Sequence, residues 1–128
     1  MEFPAELKYQ KTDEWVKVVD DVAIIGISDF AQNQLSDLVF VEFNNESGDK
    51  VVKGDAFGVV ESVKAASDVF YPVSGELIEV NNSLADNPEI LNKDPYGEGW
   101  MLKIRMSDPT ELDSLLDWES YQQDTRDR

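Results

Sequence analysis

The chain has no cysteine and no histidine, and its lysines and arginines number only 11 against 27 aspartates and glutamates. Without cysteine there is no disulfide, no dithiol redox pair, no thiolate nucleophile and no sulfur-ligated metal. Without histidine there is no imidazole base and no serine–histidine triad. Carboxylates, hydroxyls, lysine and arginine remain, so redox or group-transfer chemistry has to rest on something the chain carries. The formal net charge of −16 repels phosphate backbones and anionic lipid heads, which argues against nucleic acid and membrane surfaces as partners. The same charge serves solubility and steers the molecule toward basic surfaces, and the two readings stand together. No stretch approaches the roughly 20 apolar residues of a membrane span. Met1 to Tyr9 carries two glutamates and no apolar core, unlike a signal segment. The expectation is a soluble, cytoplasmic chain.

What is present is the composition of a globular protein: 128 residues, 41% hydrophobic and 10% aromatic. One domain over 1–128 is expected, with its core at about residues 7–120 and 121–128 as a frayed tail. Most of the chain reads as short strands. Trp15 to Val19 and Val22 to Ile27 form a hairpin around Asp20-Asp21. Ser28 or Asp29 caps a short helix ending near Leu35 to Asp37. Val39, Val41 and Phe43 alternate with Phe40 and Glu42 as a half-buried strand. Phe57 to Val63, Val69 to Val73 and Glu76 to Val80 are further apolar runs, and Met101 to Met106 alternates strictly. Asn81 to Gly99 is a polar excursion with one helical turn, anchored by Leu84, Ile90 and Leu91. Asp108, Pro109 and Glu111 open a C-terminal helix whose apolar stripe is Leu112, Leu115 and Leu116. A mainly β sandwich or barrel with short helices follows.

Lys64 stands alone between two apolar runs, in Glu61-Ser62-Val63-Lys64-Ala65-Ala66-Ser67-Asp68, with small residues after it and no glycine or proline. A lysine at a hairpin tip is commonly a solvated turn residue. A modifying enzyme, however, needs a protruding amine with small neighbours, and Lys64 meets that description too.

The segment Val59 to Asp68, with Tyr71-Pro72-Val73-Ser74-Gly75-Glu76 after it, resembles the lipoyl-lysine hairpin of the glycine cleavage H proteins. Tyr9 to Val16 (YQKTDEWV), Gly26 to Gln32 (GISDFAQ), Val39 to Glu42 (VFVE) and Asp94 to Met101 (DPYGEGWM) are similar to that family's other blocks, in its order and spacing. The resemblance covers about residues 7–120 and implies a barrel-sandwich hybrid fold of the lipoyl/biotinyl-carrier kind, with a C-terminal helix. It further implies a non-catalytic carrier with lipoate amide-linked to Lys64. The lipoyl dithiolane accepts an aminomethyl group as a pyridoxal-phosphate P protein decarboxylates glycine. A folate-dependent T protein, the aminomethyltransferase, takes the one-carbon unit, and the L protein, dihydrolipoyl dehydrogenase, reoxidises the dithiol. Sulfur and redox chemistry then belong to the cofactor, which suits a chain without cysteine or histidine.

The resemblance also places Glu14 and Asp68 in a cleft that shelters the loaded arm, with Thr12 and Ser28 as hydroxyl partners. Each has a plainer reading as a turn acid or helix cap. Glu61 and Ser62 are placed where a lipoylating enzyme reads the hairpin, although strand-edge solubility explains them equally well. Three departures stand out: Asp13 where a histidine is common, Ser36 in place of a glycine, and Phe43 to Glu46 in place of a Leu-Pro-Glu loop. Asp13 either strengthens amine holding or alters partner contacts. A biotinyl carrier shares the fold but typically brackets its lysine with methionines, whereas Val63 and Ala65 flank Lys64. An H-like relay that donates its lipoyl group to other complexes is the second alternative.

Overall fold

The computed structural model describes residues 1–128 as two antiparallel sheets with short helices at their ends. The strands are β1 (Lys8–Tyr9), β2 (Glu14–Val19), β3 (Val22–Ile27), β4 (Leu38–Phe43), β5 (Lys50–Val51), β6 (Ala56–Ser62), β7 (Ala66–Phe70), β8 (Gly75–Val80) and β9 (Leu102–Met106). Six of them pair in the order β1-β2-β3-β9-β8-β5, and β4-β6-β7 make the second sheet. Helix α1 (Asp29–Leu35) links β3 to β4. Two single turns, α2 (Ser83–Asp86) and α3 (Ile90–Lys93), fill the excursion between β8 and β9, where one turn was expected. No helix is long and apolar enough to cross a membrane.

Twenty buried residues from both sheets form the main core, among them Ile25, Val41, Phe57, Val60, Tyr71, Leu77 and Ile104. The alternation read in Met101 to Met106 is realised, since Leu102, Ile104 and Met106 face inward while Lys103 and Arg105 do not. β6 can run close to β4 because Gly58 has no side chain; a Cβ there would lie 2.2 Å from the Glu42 carbonyl oxygen. A smaller cluster of Leu7, Tyr9, Trp15 and Tyr121 packs apart from the main core, with Tyr96, Trp100 and Trp118 against it.

Three sequence expectations change. In β4 the register shifts between Leu38 and Phe40, so Leu38 and Val41 are buried while Val39 is 55% exposed. A bulge breaks the period of two that placed Val39 inside. The capping signal at Asp108 starts a six-residue 3₁₀ helix (Pro109–Ser114) rather than the C-terminal helix, which begins ten residues later as α4 (Trp118–Arg126). Glu111 accepts from the Ser74 backbone N–H at 2.8 Å and its hydroxyl at 3.0 Å, tying that turn to the sheet instead of closing a capping box. Residues 121–128, expected to fray, are held: Tyr121 is fully buried, and Arg128 bridges Asp13 and Asp124.

Candidate functional site

The β6–β7 hairpin brings Lys64 to its tip. Ser62 closes the turn: its N–H donates to the Ala65 carbonyl at 2.7 Å, and its hydroxyl oxygen accepts from the N–H groups of Lys64 at 3.2 Å and Ala65 at 3.0 Å. A serine side chain so bonded does the work of a glycine-rich turn. The Val63 N–H donates to the Asp37 carbonyl at 3.2 Å, fastening the tip to the start of β4. Val63 is 73% exposed, and Lys64, Ala65 and Ala66 are exposed beside it. The lysine ammonium contacts in the molecule belong to Lys50, Lys53 and Lys103, which leaves the Lys64 amine without a hydrogen bond or ion pair. Acylation of Lys64 therefore breaks no existing contact. No group of three side chains is arranged to hold a metal ion.

Cross-strand register places Phe40, Glu61 and Ala66 in one row on the outer face of this sheet and Glu42, Val59 and Asp68 in the next. Glu61 and Ser62 accordingly sit half-buried immediately before the tip.

The four residues expected to form one arm cleft do not share a cavity. A cleft of about 130 Å³ lies between α1, β7 and the turn at residues 10–14, lined by Thr12, Asp13, Ala31, Gln34, Leu35 and Ser67 among others. Only Thr12 of the expected four is in its wall. Ser28 is fully buried as the N-cap of α1, accepting from the Ala31 N–H at 3.2 Å, and its hydroxyl meets Tyr121 at 2.6 Å. Ser28 is thus a helix cap with no surface for a ligand. Asp68 alternates with Ser67 along β7 and points to the outer face, exposed, rather than into the cleft. A groove of about 670 Å³ beside Phe40 and Phe43 is larger but holds none of these residues.

Glu14 is fully enclosed beneath the turn. One carboxylate oxygen, Oε2, accepts from the Phe70 N–H at 2.9 Å, joining β2 to the edge of β7. The other, Oε1, accepts from Gln10 Nε2 at 2.8 Å and from the Thr12 hydroxyl. Burial pushes this carboxyl up to about 7, although the Thr12 and Phe70 hydrogen bonds pull it down. Glu14 meets β7 two residues after Asp68, so the two acids flank one strand without facing one cavity.

Sequence reading left Asp13 undecided and missed its partners. Tyr121 donates to Asp13 Oδ1 at 2.9 Å, and Arg128 NH1 lies 2.9 Å from the same oxygen. Burial raises the Asp13 carboxyl, opposed by Tyr121 and Arg128. Asp13 is thereby tied to Tyr121 in α4 and to Arg128 just past its end. Contacts across more than a hundred residues leave no local pattern by which the sequence could have announced them.

Comparison with known proteins gives one answer. The profile of the glycine cleavage H-protein family matches residues 7–128. A glycine cleavage system H protein of Carboxydothermus hydrogenoformans is 52% identical over 119 residues, 93% of this chain and 91% of that protein. One of Symbiobacterium thermophilum is 51% identical over 124 residues, 97% of this chain and 96% of that protein. The crystal structure of a glycine cleavage system H protein from Mycobacterium marinum superposes with a TM-score of 0.89 at 32% identity, covering 97% of this chain and 99% of that one. That likeness bears out the lipoyl-carrier-like architecture expected from sequence. On the family profile, the relatives and the shared fold together, this chain belongs to the glycine cleavage H-protein family.

Proposed function

We propose that this chain is a lipoyl carrier of glycine cleavage, with lipoate in amide linkage to Lys64 and no catalytic residue of its own. Its family supports the carrier role. The observation that carries the assignment is the free Lys64 amine on a turn closed by Ser62, beside small exposed neighbours. When bound, lipoate supplies the disulfide that takes up the aminomethyl carbon and two electrons. The P protein loads the carrier, the T protein unloads it and dihydrolipoyl dehydrogenase reoxidises it.

The remaining work falls to the chain. Ser62 holds the tip rigid, and Glu61 on the outer row gives the lipoylating enzyme a charged mark three residues before the lysine. Asp68 offers an exposed carboxylate to a cationic amine on the outer side of β7. Thr12 stands at the mouth of the small cleft and covers Glu14 Oε1. An ammonium group reaching Glu14 would replace Thr12 and Gln10 on Oε1 while Oε2 stays bonded to Phe70. Both displaced donors are side chains at or near the surface, so the exchange requires no strand to move.

The experiment is expression with a lipoylating enzyme and lipoate, followed by intact mass and peptide mapping. One lipoyl group on the peptide containing Lys64, and none in Lys64→Arg, is expected. Reconstitution with the P protein should then give glycine-dependent CO₂ release that Lys64→Arg abolishes. An unmodified Lys64, or release that persists in the variant, would overturn the assignment.

A further inference from the structure

The turn at residues 10–14 is held from within and also from the C-terminal segment. Asp13 has a φ of +81°, a left-handed backbone that strains a residue carrying a side chain. Within the turn the Asp13 N–H bonds to the Gln10 carbonyl at 3.0 Å and the Gln10 N–H to the Glu14 carbonyl at 2.9 Å, and the Ser28 N–H adds a bond to the Asp13 carbonyl at 2.9 Å. The rest of the restraint comes from α4 and the residues after it. One guanidinium, that of Arg128, donates to the Lys11 carbonyl at 2.6 Å and to Asp13 Oδ2 at 3.0 Å. It therefore brackets Thr12, the residue whose hydroxyl caps Glu14. Arg128 is itself fixed, paired with Asp124 at 2.8 Å and lying over the Phe30 ring at 5.0 Å. Tyr121 completes the clamp. Its hydroxyl donates to Asp13, and the Ser28 hydroxyl donates to it in turn.

Packing alone does not call for these contacts. Tyr121 is already seated by its ring, stacked on Tyr9 at 4.5 Å and edge-on to Phe3 at 5.1 Å. Beyond the C-terminal segment itself, the polar side-chain contacts of Tyr121, in α4, and of Arg128, two residues past its end, converge on residues 11, 13 and 28.

We propose that Tyr121 and Arg128 are positioning residues for Glu14: through Asp13 they fix the turn that presses its carboxylate against β7, and so set how readily a cationic amine reaches it. The last clause rests on the carrier reading; the positioning does not.

The test uses the full chain with Tyr121→Phe, Arg128→Gln, their combination, and Arg126→Gln as a control on the exposed side of the same helix. Carbon-13 NMR follows the Glu14 carboxyl through its titration, and hydrogen exchange follows the Phe70 amide. In Arg128→Gln and in the combined variant, water gains access to Glu14, so its midpoint should fall by about one pH unit toward the ordinary carboxylate range. Exchange at Phe70 should rise about tenfold. Tyr121→Phe keeps the ring stack and should move both in the same direction. Arg126→Gln should move neither. A Glu14 midpoint unchanged in folded Arg128→Gln, or shifted equally by Arg126→Gln, would overturn the proposal. Should the combined variant fail to fold, Arg128→Gln decides alone. Failure of the carrier reading shows separately, as no lipoyl mass on the unsubstituted protein, and leaves the Glu14 measurement interpretable.

Discussion

Glu14 is the one carboxylate that the fold encloses completely, and its titration becomes a property of the whole protein. Burial holds its proton up to about 7, against an ordinary value of 4.5. Between those values the native state keeps a proton that the unfolded chain has already released. The resulting stability is complete below the unfolded value and is lost as pH rises through about 7. A gap of this size corresponds to roughly 3 kcal/mol. Glu14→Gln, which stays neutral, should gain on the parent as pH rises from about 5 to 8. Melting temperatures across that range check it, and parallel curves for the two proteins would assign the slope to another group. Lys64 and Glu14 also differ in how far sequence exposes them. A free amine at a hairpin tip follows from local residues, whereas the enclosure of Glu14 depends on Phe70, 56 positions away.

At the scale of elements, the end of α1 shows a departure from the family pattern at work. Ser36 occupies the C-cap with φ 67° and ψ −150°, a region that glycine enters freely and a side chain does not. Its N–H still bonds to the Gln32 carbonyl at 3.0 Å, and its carbonyl accepts from Asn92 at 2.8 Å, so neighbours impose the conformation. Ser36→Gly should raise stability by about 1 kcal/mol, measured by urea unfolding. A loss of stability would mean that the serine side chain contributes more than its backbone costs. Elements with strong periodicity or clear caps were legible beforehand: the β2–β3 hairpin, α1 with its cap at Ser28 or Asp29, of which the structure uses Ser28, and β9. The failures share one cause. A bulge in β4, a 3₁₀ helix after Asp108 and a docked α4 are each decided by what they pack against, Glu61 in β6, Ser74 before β8 and Tyr9 in β1. The outward face of Asp68 was hidden from the sequence for the same reason, because the face a strand residue occupies follows from its partners' register.

For the whole molecule, a net charge of −16 on 128 residues is self-repulsion that the fold must overcome. Salt screens it over about 8 Å at physiological ionic strength. Raising sodium chloride from about 20 to 200 mM should therefore raise the melting temperature by a few degrees. The same salt should weaken docking on basic partner surfaces. A flat thermal response would mean that local ion pairs such as Arg128 with Asp13 offset the global repulsion. The division of the interior into two clusters has an optical consequence. All three tryptophans, Trp15, Trp100 and Trp118, belong to the smaller cluster, while the main core holds Phe57 and Tyr71 and no indole. Tryptophan emission thus watches the α4 side of the molecule and is blind to the sheet that carries Lys64. Set beside far-ultraviolet dichroism, which follows both sheets, it reports whether the two halves of the interior melt together.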